Sequence, residues 1–233
     1  MAYNVHAHHL CRIENYTLKF MWNKKLYVFD FDGTLTTRDT LIAFIRFSRG
    51  TTWLLRCLFQ LLPWLVLMKL HLADNGRTKE RLFSLCFKDM SLDEFNDLCN
   101  RFVTAASHRI IRQDTWEVMK KALAAGSRVF VVSASIDNWV APFFTKVGSV
   151  TILGTQIEVV DNKLTGRFLT PNCYGAEKVR RLKEALPGLK SNRRQYQVIA
   201  FGDSRGDKEM FEYADESYYI GKEYFKPDAR QAR

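Results

Sequence analysis

Short apolar runs alternate with longer amphipathic stretches along this chain. Residues 26–29, 128–133 and 196–201 are apolar and β-branched runs that read as strands buried on both faces of a parallel sheet. A last short strand at 217–220 completes that sheet. Between these runs the apolar positions recur at helical spacing. Asp39 is placed to cap a helix over 40–47, ended by Ser48-Arg49-Gly50. Further helices are expected over 79–87, 92–106, 113–124 and 138–147, the second opened by Ser91 and Glu94 in capping-box spacing. Residues 156–160 and 164–168 read as a hairpin turning at Asp161-Asn162. Strands alternating with helices define an α/β fold built on a doubly wound, Rossmann-like parallel sheet. An all-helical block, 40–108, interrupts it after the first strand.

One segment of that block resists a single reading. Trp53-Leu54-Leu55-Arg56-Cys57-Leu58-Phe59-Gln60-Leu61-Leu62-Pro63-Trp64-Leu65-Val66-Leu67-Met68 is rich in Leu and Trp, yet Arg56, Gln60 and Pro63 break it. A membrane-spanning helix needs about 20 predominantly apolar residues, so this stretch does not qualify. It is either a helical hairpin or kinked helix packed into its own small core, or an apolar face resting on a bilayer. In the second case Arg46, Arg49, Arg56 and Lys69 sit among lipid headgroups.

Composition narrows the class. At 233 residues the chain holds one α/β domain with an insertion. Cys11, Cys57, Cys86, Cys99 and Cys173 are widely spaced, odd in number and form no Cys-x-x-Cys pair. That pattern argues against a disulfide framework or zinc knuckle and for a reducing, cytoplasmic setting. A net charge of +10 suits an anionic partner: a phosphate ester, an anionic bilayer or a nucleic acid. No nucleic-acid-binding module or aromatic interleaving supports the last of these. Residues 1–22 read as an appendage without a secretory signal. Its His6, His8, His9 and Cys11 belong to a polar tail before they suggest a metal site.

Candidate chemistry is concentrated in Val28-Phe29-Asp30-Phe31-Asp32-Gly33-Thr34-Leu35-Thr36. Two acids at alternate positions meet at a strand's carboxyl end, where ligands bind in open α/β sheets. Such a pair costs desolvation and mutual repulsion unless a cation or proton offsets them. A hard divalent ion held by oxygen ligands, most naturally Mg²⁺, is the economical solution. The alternative is that both acids are merely strand-end and turn residues.

This stretch resembles the first motif, D-x-D-x-T-[LV]-[TV], of the haloacid dehalogenase (HAD) superfamily. Three further words resemble that family's remaining motifs in the same order: the strand ending at Ser133, Lys178 at a helix start after Gly175, and Gly202-Asp203-Ser204-Arg205-Gly206-Asp207 after the last long strand. The resemblance is nearest to the phosphoserine-phosphatase-like subfamily IB hydrolases, which carry a helical cap after the first motif. It implies a HAD-like core of residues 23–39 and 109–233 and a cap of 40–108. The roles it implies are Asp30 as nucleophile, Asp32 as acid and base, and Ser133 and Lys178 as phosphoryl-binding groups. Magnesium is then held by Asp30, the Asp32 main-chain carbonyl and Asp203, with Asp207 helping to position the site. Asp39 and Ser135 stand where substrate contacts are expected. Alanine and serine replace the glycines that follow the motif serine in the family's phosphoserine phosphatases, and Gly206 replaces an Asn.

What the resemblance implies is a magnesium-dependent phosphomonoester phosphatase working through an aspartyl-phosphate. The substrate is a phosphorylated small molecule or a lipid phosphate, with phosphatidylglycerophosphate the leading lipid, met by a cytoplasmic protein peripheral to the inner face of a membrane. A phosphoserine-type substrate is a further alternative. From another class stands a non-catalytic phosphate- or nucleic-acid-binding protein on the same fold, marked by loss of an essential carboxylate; none is missing.

Overall fold

A computed structural model describes residues 24–70, 72 and 74–221; the appendage and its histidines lie outside them. The described strands are β1 (Lys24–Phe29), β2 (Arg128–Ile136), β3 (Val150–Thr155), β4 (Ile157–Val160), β5 (Lys163–Phe168), β6 (Tyr196–Gly202) and β7 (Glu216–Tyr219). Five form one sheet of order β3-β2-β1-β6-β7, and every pairing in it is parallel. Central β1 pairs with both β2 and β6, which puts Phe29 beside Val131 and Phe201. The residues that follow Phe29, Val132 and Phe201 therefore emerge together at one edge of the sheet.

The helices are α1 (Thr40–Arg49), α2 (Thr51–Gln60), α3 (Leu62–Lys69), α4 (Asn75–Phe87), α5 (Leu92–Ile110), α6 (Gln113–Ala124), α7 (Asp137–Val140), α8 (Ala176–Ala185), α9 (Gly188–Ser191) and α10 (Lys208–Tyr213). Alternating side chains split the core in two. Leu26, Val28, Phe130, Val132, Val198 and Ala200 pack against α8, α9 and α10. Phe29, Val129, Val131 and Phe201 face the other way, into a core continuous with that of the insertion. Within the insertion, Phe44 lies 5.4 Å from Phe87 and 5.7 Å from Phe95, and it also stacks on Trp139 of α7 at 5.0 Å.

Local chemistry moves several boundaries. α4 begins at Asn75 rather than 79, because Asp74 caps it by accepting from the Arg77 N–H at 2.9 Å. α5 runs on to Ile110, whose side chain is buried. The helix expected over 138–147 stops at Val140 and gives way to a 3₁₀ turn, Ala141–Phe144, in which Pro142 has no N–H to donate. β2 continues past Ser133 to Ile136, with a register shift against β3 after Val132. The segment 53–68 is two helices, α2 and α3, bent by 65° at Leu61 just ahead of Pro63. No single helix among the described residues is long and apolar enough to cross a membrane.

The β4–β5 hairpin turns through Asp161 and Asn162, both at positive φ, as a two-residue hairpin loop requires. It reaches across to the insertion. Asp89 N–H donates to the Leu164 carbonyl (2.9 Å), Leu164 N–H to that of Met90 (2.9 Å), and Leu92 N–H to that of Asn162 (2.9 Å). Phe168 N–H donates to Glu80 Oε2 at 2.8 Å. Gly166, at φ +85°, lies so close to α4 that a Cβ there would meet Ser84 Oγ at 2.5 Å.

Candidate active site

Asp30 follows β1 directly and is pinned to the neighbouring strand by its N–H, which donates to the Phe201 carbonyl at 2.8 Å. Gly33, at φ +77°, then turns the chain beneath Asp203; a Cβ there would collide with the Asp203 carboxylate. The turn is latched from α6. Thr115 Oγ1 donates to the Thr34 carbonyl at 2.7 Å, and Arg112 Nη2 to that of Gly33 at 3.1 Å. The loop that carries both leading acids is thus held by backbone acceptors on its far side.

Lys178, on the first turn of α8, is buried and lies between two carboxylates. Its Nζ donates to Asp30 Oδ1 at 2.5 Å and Asp207 Oδ1 at 2.6 Å. The other oxygen of Asp207 accepts from the N–H groups of Asp203 (3.1 Å) and Ser204 (3.0 Å) and from the Ser204 hydroxyl (3.0 Å). Asp207 therefore positions Lys178 and the turn, with both of its oxygens engaged. Asp203 makes no close ion pair among the described residues, though the Lys178 charge still acts on it. Oxygens of Asp30, Asp203 and Asp207 all lie within 4.8 Å of one another.

Electrostatics reflect this crowding. Burial pushes the Asp30 carboxyl up to about 8, with Asp207 and Asp32 adding to the rise against the pull of Lys178. Asp203 is raised to about 6, first by burial and then by Asp207. Burial opposes the Lys178 charge, but Asp30 and Asp207 outweigh it and hold the ammonium above the usual lysine range. One cation faces three acids, a deficit that a bound divalent ion would offset. A hard oxygen donor set of this kind fits Mg²⁺, which Asp30 and Asp203 would hold.

Asp32 points elsewhere. Its Oδ1 accepts from the Thr40 N–H (2.8 Å) and hydroxyl (2.6 Å), and its Oδ2 from the Ser135 hydroxyl. Trp139 Nε1 donates to Thr40 Oγ1 at 3.2 Å, so a chain of donors fixes this carboxylate. Burial raises its pKa, and Asp39 adds to the effect.

Asp30, Asp32, Asp39, Ser133, Lys178 and Asp203 line one cleft of about 410 Å³. Ser133 is buried at its floor, and its Oγ accepts the Ser135 N–H at 3.0 Å. Ser135, expected at the substrate, is buried outside the cleft lining, where its hydroxyl is taken up by Asp32 and Thr40. Asp39 is at the mouth, where its carboxylate caps α1 by accepting the Ile42 N–H at 3.2 Å. Sequence reasoning missed Thr40, Trp139, Arg38, Lys79 and Tyr174. Only Thr40 left a signal, as the first residue of a helix that starts beside the strand end.

A haloacid dehalogenase-like hydrolase profile matches residues 27–212, and the chain belongs to that family. It is 31% identical over 196 residues to Protein CicA of Caulobacter vibrioides, spanning 83% of this chain and 85% of that protein. Among solved structures, a protein with unknown function from Bordetella pertussis Tohama I superposes with a TM-score of 0.70 at 19% identity, covering 83% of this chain and 88% of the other. A phospho-aspartyl intermediate analogue of phosphoserine phosphatase superposes with a TM-score of 0.56 at 22% identity, covering 83% and 85%. At these identities the structural likeness is one of fold.

Proposed function

We propose that this protein is a magnesium-dependent phosphomonoester hydrolase working through an aspartyl-phosphate on Asp30. The observation that carries this reading is one cleft in which Asp30 is oriented by Lys178 while the second acid, Asp32, is held apart by Thr40 and Ser135. Two acids in different surroundings suit two different roles.

In the first step an Asp30 oxygen attacks phosphorus and the bond to the leaving oxygen breaks, while Asp32 gives that oxygen a proton. In the second, Asp32 takes a proton from water. The water oxygen attacks phosphorus, the Asp30–phosphorus bond breaks, and phosphate leaves with both carboxyl groups restored. The raised pKa of Asp32 favours the proton it must donate. Lys178 and the Ser133 hydroxyl stabilise charge on the phosphoryl oxygens. A bound Mg²⁺ supplies further neutralisation of the phosphoryl group.

A phosphorylated small molecule carrying an amino group is a second reading, favoured by the Asp39 carboxylate in the cleft lining. The chemistry is tested by hydrolysis of an aryl phosphate. Turnover is expected to vanish in EDTA and return with Mg²⁺, and to fall by roughly 10²-fold or more in Asp30→Asn and in Asp32→Asn. Undiminished turnover by purified Asp30→Asn, free of contaminating phosphatase, refutes the mechanism.

A further inference from the structure

Nothing in the chemistry above uses the outer face of the insertion. α2 turns Leu54 and Cys57 inward, and Leu61 follows them at the bend, all at helical spacing, yet the other faces of α2 are also apolar. Trp53, Leu55 and Phe59 stand in solvent, Phe59 at 78% exposure and Leu55 at 61%. α3 is apolar from Leu62 to Met68 but has no buried residue at all; Leu62, Trp64 and Val66 are exposed. A helix apolar all round ordinarily lies inside a core or a membrane, and here the core stops at its inner edge. Contiguous exposed apolar surface of this kind marks a contact site.

Charge identifies the partner. Between Asp39 and Asp74 the chain has no acidic residue, while Arg46, Arg49, Arg56 and Lys69 are all exposed. Cations also lie beside the aromatic rings of this face: the Arg81 guanidinium is 3.4 Å from the centroid of Trp64, and that of Arg56 is 5.8 Å from Trp53. A second copy of the chain would bring one acid-free cationic surface against another, since an isologous contact pairs like with like. An anionic lipid surface answers both the hydrocarbon and the charge.

We propose that the α2–α3 pair docks on an anionic bilayer, lying in its interface. Helices of 10 and 8 residues reach about 15 Å and 12 Å, far short of the roughly 30 Å hydrocarbon core. With Leu54, Cys57 and Leu61 held in the protein's own core, the pair, bent by 65°, suits a shallow wedge rather than a span. Both helices pack on α4, whose first turns contribute Asn75 and Lys79 to the cleft. If the phosphatase reading holds, docking brings that cleft to phosphate monoesters borne by lipids.

The test is co-sedimentation of the full-length protein with phosphatidylcholine vesicles, with and without phosphatidylglycerol. Binding is expected to the anionic vesicles and to weaken with salt. It should drop at least about tenfold in the Phe59→Gln, Leu55→Gln double variant and roughly fivefold in Lys69→Gln. Aryl phosphate turnover in buffer should be unchanged in all of these, which separates failure of docking from failure of the proposed chemistry. Absence of binding to anionic vesicles by the folded wild type overturns the proposal, as does equal binding by the double variant. A solution dimer that the double variant dissociates, without vesicle binding, overturns it in favour of self-association.

Discussion

Two regions of this protein invert the usual partition of surface, in opposite directions. At the carboxyl end of the sheet, charge is taken out of water: Asp30, Lys178 and Asp207 are buried together. Across the insertion, hydrocarbon is left in water along α2 and α3. A buried charge and a large exposed apolar patch are the two arrangements that folding alone does not favour. Their difference is instructive, because the buried charges are almost fully partnered inside the chain while Leu55, Phe59 and Val66 stay exposed among the described residues. The first region is therefore bound up with the stability of the fold, and the second should be nearly independent of it.

Lys178→Met breaks the comparison at its strongest point. Removing the one cation between Asp30 and Asp207 leaves two buried carboxylates uncompensated, with an expected cost of about 3–5 kcal/mol. Urea unfolding in EDTA at neutral pH measures it. A loss well under about 1 kcal/mol would mean that these charges are not buried as a unit.

Asp137 offers a control, a half-buried acid outside the cleft lining. One of its oxygens has no hydrogen-bond partner, and burial raises its carboxyl to about 6 against the opposing pull of the Gly154 N–H and Arg181. An unfolded aspartate titrates near 3.9. Because the folded value is the higher, the folded protein holds this proton more tightly. Its contribution to stability is complete below about pH 4 and is lost as the pH rises through 6. Asp137→Asn should flatten that decline by about 2 kcal/mol. Unfolding midpoints at pH 4.5 and 7.5 give the comparison, and an unaltered pH dependence would remove Asp137 as its source.

The smallest effect sharpens the other side. Phe59→Gln replaces a large aromatic, yet stability should move by no more than about 0.5 kcal/mol, as for a surface site. A loss of several kcal/mol on thermal unfolding would show that Phe59 is covered by its own chain.

Much of the catalytic half was legible because its chemistry is written in short contiguous words at strand ends. Asp30, Asp32, Ser133, Lys178 and Asp203 reach one cleft by the geometry of a parallel sheet, which brings successive strand termini to one edge. Lys79 was not legible: it comes to the cleft from α4 through tertiary packing, and nothing local distinguishes it from any other helical lysine. The same limit applies to Trp139, which acts on Asp32 only through Thr40. Segment 53–68 shows a different limit. Apolar content states that a surface avoids water, but not whether its own core or something else covers it. For Leu54, Cys57 and Leu61 the answer is the core; for Phe59 and Leu55 it is not.

The hairpin from Ile157 to Phe168 bears on how the cleft opens. It grips the Asp89–Leu92 turn through three main-chain hydrogen bonds and holds α4 through Glu80. The insertion is thus fastened by this strap in addition to the two chain crossings and the core it shares with the sheet, which opposes its swinging as a lid on a single hinge. Traffic into and out of the cleft falls to its rim, where Arg38, Lys79 and Tyr174 stand. The same strap ties the amides of Asp89, Leu92 and Leu164 into one protected patch, so their hydrogen exchange reports core and insertion opening together.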